Sequence, residues 1–284
     1  MIKFSTKTNY KLVSIVQRII LSILRLFKKP HTQVIIKRNQ IHWKLNLSEV
    51  IDFMVYLVGG FDKAGSKAFG KQISKNSTII DIGANIGSFS LEVSKYLSDQ
   101  GRIIAIEPST YAYRKFQSNL KLNPNLLNRI TPVHAFITQN NNPVPKEIYA
   151  SWDIQSEDPR HNNHKGILTS TYGAISLSLD QLVDHFSISK LDWLKIDVDG
   201  FEKDVLFGGR HVFKKHKPNV FMELCEYSLE EHNTSIEELL DFLICFGYQF
   251  YSVKGKPFNQ DIEAIRKTIP KMGTINIFAY PNLL

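Results

Sequence analysis

The stretch Ser77 to Tyr96, STIIDIGANIGSFSLEVSKY, constrains this chain more than any other. An apolar run, Ile79–Ile80, ends at Asp81. A turn with Gly83, Asn85 and Gly87 follows, and then Phe89, Leu91, Val93 and Tyr96 recur on a helical period. Strand, tight turn, helix is the opening of a nucleotide-binding βαβ unit, and it implies an α/β fold with a parallel sheet. The turn also selects the nucleotide. A dinucleotide site wants G-x-G-x-x-G with the pyrophosphate on the helix N-terminus, and Asn85 stands where the second glycine would be. Asp81 would repel a pyrophosphate, since like charges ~4 Å apart cost about 4 kcal/mol at an effective dielectric of ~20. The same carboxylate suits a sulfonium and an ammonium, so S-adenosylmethionine (SAM) is the expected ligand. Gly83 and Gly87 remain for close backbone approach.

Glu107, in RIIAIEPS, closes a second apolar run twenty residues after Gly87. A carboxylate there accepts both ribose hydroxyls, in SAM and NAD sites alike. A plain α/β strand, turn and helix with no ligand is the alternative, and the joint spacing of acid, glycines and second acid argues against it.

The net charge of +8 at first suggests nucleic acid, but it is unevenly spread. Residues 1–48 hold ten Lys or Arg and no acid, which leaves 25 basic against 27 acidic residues in the rest. The candidate catalytic region therefore lacks the electrostatic footprint of a nucleic-acid binder. Cys225 and Cys245 are isolated in apolar runs, which predicts two buried reduced thiols. No ligand spacing suggests a metal.

Residues 11–29, KLVSIVQRIILSILRLFKK, carry a polar stripe (11, 14, 18, 22, 25, 29) opposite Leu12, Ile15, Ile19, Ile23 and Leu26. Arg18 and Arg25 interrupt any secretory core, and the uncharged run is too short to span a bilayer. Two readings stay open: a peripheral contact with an anionic membrane, or a helix packed on the domain or at a dimer contact. Pro30 ends the pattern. The expected location is cytoplasmic, with the membrane periphery as its variant.

The expected organisation is an N-terminal amphipathic helix over 1–30, lead-in strands and helices over 31–75, and a catalytic domain over 76–284. Residues 33–46 read as two short strands and 48–75 as helices punctuated by Gly59–Gly60. Strands are predicted at 78–82, 102–107, 130–136, 192–197, 218–225, 247–253 and 274–280, and helices at 87–98, 110–122, 201–215 and 235–246. Such alternation predicts a mostly parallel sheet covered on both faces. The last two strands predict an antiparallel edge hairpin. Residues 139–176 break the alternation as a polar insertion. Trp152, Arg160 and Tyr172 in it suit recognition of a sugar or another polar substrate, and a merely decorative surface loop is the alternative.

The second chemical motif is DWLKIDVDGFEKDV, residues 192–205. Asp197 falls at the carboxyl end of a strand and should face the same crevice as Asp81. Asp197, Asp199 and Glu202 have three readings: a base for an acceptor hydroxyl, a divalent cation site, or favourable charge at the start of the next helix.

At these residues the chain resembles the FkbM-type family of SAM-dependent methyltransferases. The matching pieces are IIDIGANIGSFSL (79–91), IIAIEPS (103–109), SLDQL (178–182), LKIDVDGFEKDVLFGG (194–209), KPNVFMEL (217–224) and the lead-in NLSEVIDFMVYLVGGFD (46–62). The resemblance implies a class I, Rossmann-like methyltransferase fold with a seven-stranded sheet. It also implies transfer of a methyl group to a hydroxyl of a sugar in a glycan or of a secondary metabolite. It puts Asp81, Gly83, Asn85, Gly87 and Glu107 on the SAM motifs and Asp197 beside the cofactor. Many class I enzymes place an acid near the third strand's end for the adenine amine. Here the stretch is VHAFITQ, so backbone around Ala135 is expected to serve.

An alcohol needs a base, and the candidates are Asp197 and, from the insertion, His161 or His164, whose imidazoles have the better pKa near neutrality. A solvated loop position is the plain reading of each histidine. The rival functions are an N-methyltransferase acting on protein or nucleic acid, an NAD-linked oxidoreductase, and a SAM-fold protein that only binds a partner. The expected partner is a small-molecule or glycan acceptor.

Overall fold

The computed structural model describes residues 15–17, 32–139, 142–163, 165–258 and 260–282. Residues 15–17 are helical, but the rest of the 11–29 stretch, nearly all of the 1–30 extension and His164 lie outside the described residues. The strands are β1 (Gln33–Arg38), β2 (Ile41–Asn46), β3 (Thr78–Ile82), β4 (Arg102–Ile106), β5 (Ile130–Val133), β6 (Ala135–Ile137), β7 (Glu147–Ser151), β8 (Ile167–Ser170), β9 (Ile175–Leu177), β10 (Trp193–Ile196), β11 (Asn219–Leu224), β12 (Tyr248–Ser252) and β13 (Ile275–Pro281).

Seven strands form the central sheet in the order β12-β13-β11-β10-β3-β4-β5. β13 runs antiparallel to both its neighbours, and the pairs from β11 to β5 are parallel. The expected antiparallel hairpin thus forms one edge, with β13 inward and β12 outermost. β1 and β2 form a separate hairpin around the turn Asn39–Gln40.

Successive strand residues face opposite sides of the sheet, so both faces must be covered. Ile80, Ile82, Ile104, Ile106, Leu194 and Ile196 meet Leu182, Val205, Leu206 and Leu240 on one side. Ile79, Ile103, Ala105 and Trp193 meet Phe69, Leu91, Phe116 and the hairpin's Trp43 on the other.

Three local differences from the sequence reading have physical causes. The strand expected over 130–136 breaks at His134, whose Nε2 lies 3.0 Å from the Pro108 carbonyl and whose ring stacks on Tyr113. The chain then leaves the central sheet, and β6 pairs with β9 instead. The helix expected over 201–215 splits into Glu202–Phe207 and Arg210–Lys215. At the break, a Cβ on Gly208 would meet the Thr138 carbonyl oxygen at 2.6 Å. The second piece is capped from outside, because Asp180 accepts the backbone N–H groups of His211 and Val212. Finally, Cys225 is buried as expected but Cys245, the last residue of helix Ile236–Cys245, is exposed.

The insertion is folded. β7 and β8 pair antiparallel, and its links reach both flanks of the sheet's carboxyl edge. Glu49 accepts hydrogen bonds from the Ser151 hydroxyl (2.6 Å) and the Trp152 N–H (2.9 Å) on the lead-in side. On the other side Glu231, ending the helix Glu226–Glu231, pairs with His161 (3.1 Å) and accepts from Asn163 (2.8 Å). In between, the Thr110 hydroxyl donates to the Tyr172 carbonyl (2.8 Å).

Candidate functional site

The glycine turn between β3 and the helix Ser88–Ser94 is held from three directions. The N–H groups of Gly83 and Ala84 donate to the Ile106 carbonyl at the end of β4 (3.0 and 2.9 Å). Asn119 donates to the Ile86 carbonyl (3.1 Å). Lys195, on β10, donates to the Gly83 carbonyl (2.9 Å). Gly83, Asn85 and Gly87 all have left-handed backbone (φ 82°, 50° and 84°), a conformation that glycine and asparagine adopt most readily. At Gly83 closeness matters as much as φ, because an added Cβ would sit 1.8 Å from the Asp197 carbonyl oxygen.

Asp81 is fully buried. Ser90 donates to its Oδ2 (2.6 Å), and Lys195 Nζ lies 3.0 Å from its Oδ1. The same ammonium is 3.3 Å from Asp197, whose side chain remains 42% exposed. The sequence reading pictured Asp81 as an open carboxylate for a cationic ligand. The structure instead turns it inward onto Lys195, and Asp197 is the end of this chain of charges that reaches solvent. Burial works against the Lys195 charge, but Asp197 and Asp81 outweigh it and hold the ammonium above the usual lysine range. Lys195 escaped the sequence reading. Its signal was a lysine inside the apolar run WLKI, and the register pairs it with Asp81 across β10 and β3.

Glu107 is buried at the end of β4, where its two oxygens accept the N–H groups of Asn85 (2.9 Å) and Ser109 (2.8 Å). Burial raises its pKa. Each ionised carboxylate oxygen has a second lone pair, so Glu107 can still accept ribose hydroxyls.

Beyond β10, Asp199 takes left-handed backbone (φ 50°) and Gly200 follows at φ 108°. A Cβ on Gly200 would meet His232 Nδ1 at 2.4 Å. Glu202 folds back under this loop and lies within 3.3 and 3.4 Å of the N–H groups of Val198 and Gly200. Its other oxygen is buried and unpartnered. Glu202 therefore fits the helix-start reading of the acid run. Burial pushes Glu202 up to about 7 against these backbone hydrogen bonds, and Asp197 adds to the rise. Asp199 is open to solvent on one side and crowded by protein on the others. That crowding, with Asp197 and Glu202, pushes it up to about 8. Asp62 and Glu223 are raised for the same reasons.

Asp62, Asp197, Asp199, Glu202 and Glu223 thus share one electrostatic neighbourhood with Asp81, Glu107 and Lys195. A ligand carrying a sulfonium and an ammonium relieves their mutual repulsion. Together with the Gly83 contact and the Glu107 lone pairs, this donor set fits SAM. Among the described residues no group of three or more His, Cys, Asp or Glu is disposed to hold a metal ion.

A raised carboxylate pKa has a definite consequence for stability. Between the unfolded value (4.5) and about 7, the folded protein holds a proton on Glu202 that the unfolded chain has lost. Stability contributed by this group is full below pH 4.5 and is lost as pH rises to about 7. The slope is ~1.4 kcal/mol per pH unit, or about 3 kcal/mol in all. Urea denaturation from pH 4.5 to 8 should show Glu202→Gln with a flatter profile than the wild type, and parallel profiles would refute the assignment.

The other sequence-derived candidates lie as follows. The half-buried Trp152 ring packs with Leu47, Val50 and Ile154. The Arg160 guanidinium donates to the carbonyls of Asp153 and Ser156 and braces its own loop. His161 pairs with Glu231 and packs edge-on against Tyr149. Tyr172 is 86% exposed and Ala135 is buried in β6. The site thus gathers Asp81, Gly83, Asn85, Glu107 and Asp197 around Lys195. Gly87 sets the start of the helix, where a Cβ would meet the Phe116 ring at 2.2 Å.

Several known proteins are similar to this chain. "Methyltransferase 1" of Beauveria bassiana is 28% identical over 167 residues, spanning 53% of this chain and 66% of that protein. A crystal structure of methyltransferase FkbM from Methylobacillus flagellatus is 19% identical. It aligns over 74% of this chain and 44% of its own, with a TM-score of 0.45. TYW2 from M. jannaschii in complex with AdoMet is 17% identical over 88% of this chain and 84% of its own, with a TM-score of 0.43. The family model for the methyltransferase FkbM domain matches residues 81–250, from Asp81 to the middle of β12. The chain therefore belongs to the FkbM family of SAM-dependent methyltransferases, with SAM as its cofactor.

Proposed function

We propose that the protein is an O-methyltransferase acting on a hydroxyl of a sugar in a glycan or of a secondary metabolite. The observation that carries this reading is the pair Asp197 and Asp199 at the open end of β10. Asp197 reaches solvent while bound to Lys195, and Asp199 is exposed two residues beyond it with its carboxyl pKa raised by the acids around it. A carboxylate raised above its usual range is a stronger proton acceptor for a hydroxyl. SAM, when bound, supplies an electrophilic methyl group on a sulfonium. Asp197 orients the acceptor hydroxyl and Asp199 takes its proton, while the insertion, anchored at Glu49 and Glu231, shields the acceptor side from water. Holding the acceptor in attacking geometry supplies much of the acceleration. The near-neutral charge of residues 49–284 disfavours a nucleic-acid acceptor.

The experiment pairs a SAM titration with methyl transfer to a panel of sugars and polyhydroxylated metabolites. Asp199→Asn should cut turnover by roughly 10²–10⁴-fold, far more than it weakens SAM binding. It should also remove the acidic limb of the pH–rate profile, since the group that must lose its proton is gone. Methylation of an amine instead would favour the N-methyltransferase reading. SAM binding without turnover on any acceptor would favour a binding protein.

A further inference from the structure

Beside the β1–β2 turn lies a cavity of about 420 Å³. Lys63, Lys67 and Lys95 converge on it, beside Asn39, Gln40 and Tyr96. Its one acid, Glu92, is taken by Lys95 and Asn39. The turn that forms one wall is held in left-handed backbone at two consecutive non-glycine residues, Asn39 (φ 50°) and Gln40 (φ 69°).

The rim of this cavity is apolar. Helix Val50–Val58 ends in Leu57 and Val58, exposed by 48% and 44%, and Phe61 follows at 54%. Rim and cavity are one surface. Asn39 donates to the Gly59 carbonyl (2.9 Å), and Lys63 donates to the Val58 carbonyl (3.3 Å). Arg38 joins the same corner by donating to the Tyr56 carbonyl (3.0 Å). Exposed apolar side chains at a tip, with Arg38, Lys63 and Lys67 on one side and Asp62 turned to the helix it caps, match a phospholipid surface: anionic headgroups meet the cations and the apolar groups enter the acyl boundary. The ten basic residues and no acids of 1–48 add charge of the same sign. The tip also abuts the glycine turn, since the Phe61 N–H lies 3.5 Å from the Ser88 hydroxyl.

We propose that this face docks on an anionic phospholipid membrane, with a lipid phosphate in the lysine cavity and Leu57, Val58 and Phe61 in the acyl boundary. Docking there brings the crevice to the membrane surface, within reach of a lipid-borne acceptor.

The test is co-sedimentation of the full chain with vesicles of phosphatidylcholine, alone or with about 30% phosphatidylserine. The chain should pellet with the anionic vesicles and stay in solution with the neutral ones. Lys63→Glu/Lys67→Glu should bind at least about tenfold more weakly, and Phe61→Ser severalfold. Both variants should keep wild-type SAM affinity, which shows that they are folded. Failure of the wild type to bind anionic vesicles overturns the proposal. So does wild-type binding by both variants, which would assign any membrane contact to the basic stretch 11–29.

Discussion

Replacing Lys195 with methionine should lower the free energy of unfolding by about 3–5 kcal/mol, because removing one partner of a buried ion pair strands the other. Asp81 is fully buried, and its remaining partner is the Ser90 hydroxyl. Asp197 loses the same ammonium but reaches solvent, so it suffers less. SAM binding should fall as well, since Lys195 Nζ fixes the Gly83 carbonyl at 2.9 Å. A double-mutant cycle with Asp81→Leu separates the two effects. Replacing a whole buried pair by apolar groups is often close to neutral, so the double variant should recover much of the lost stability without recovering SAM affinity. Unfolding of Lys195→Met within about 1 kcal/mol of wild type would show that the pair is not the support described here.

Gly83→Ala should raise the SAM dissociation constant by at least about 100-fold, equivalent to ~2.7 kcal/mol. Two costs act together. The left-handed backbone at φ 82° penalises an L side chain by roughly 1–2 kcal/mol. The new methyl would also sit 1.8 Å from the Asp197 carbonyl oxygen, which is backbone and cannot rotate away. Relief requires parting the turn after β3 from the loop after β10, the two segments that meet at the crevice. Calorimetric titration with SAM and S-adenosylhomocysteine measures the loss. Wild-type affinity in Gly83→Ala would place the cofactor elsewhere.

Legibility differed along the chain for identifiable reasons. The predicted strand 78–82 and helix 110–122 agree with the structure to within a residue, because a short continuous apolar run ending at a turn and a period-3.6 stripe are local properties. The helix Leu179–His185 was missed, although Ser178 and Gln181 form a complete capping box, a local signal that seven residues of weak periodicity obscured. The residues of the insertion are read for chemistry, and the structure adds that Trp152 packs on Leu47, Val50 and Ile154 and that Arg160 braces its loop. Residue type cannot separate those roles, since a guanidinium serves a backbone carbonyl as readily as a sugar.

By itself the sequence determined the βαβ opening, the acid–glycine–acid spacing for a nucleoside with a cationic tail, and the charge contrast between residues 1–48 and the rest. All are short-range patterns of residue size, polarity and backbone freedom. Only the tertiary structure decided what Asp81 faces. Its partner Lys195 lies more than a hundred residues away, and the two meet because β3 and β10 pair in parallel with that register. Strand order and register arise from packing both faces of the sheet at once, a global balance of burial that no local stretch of chain carries.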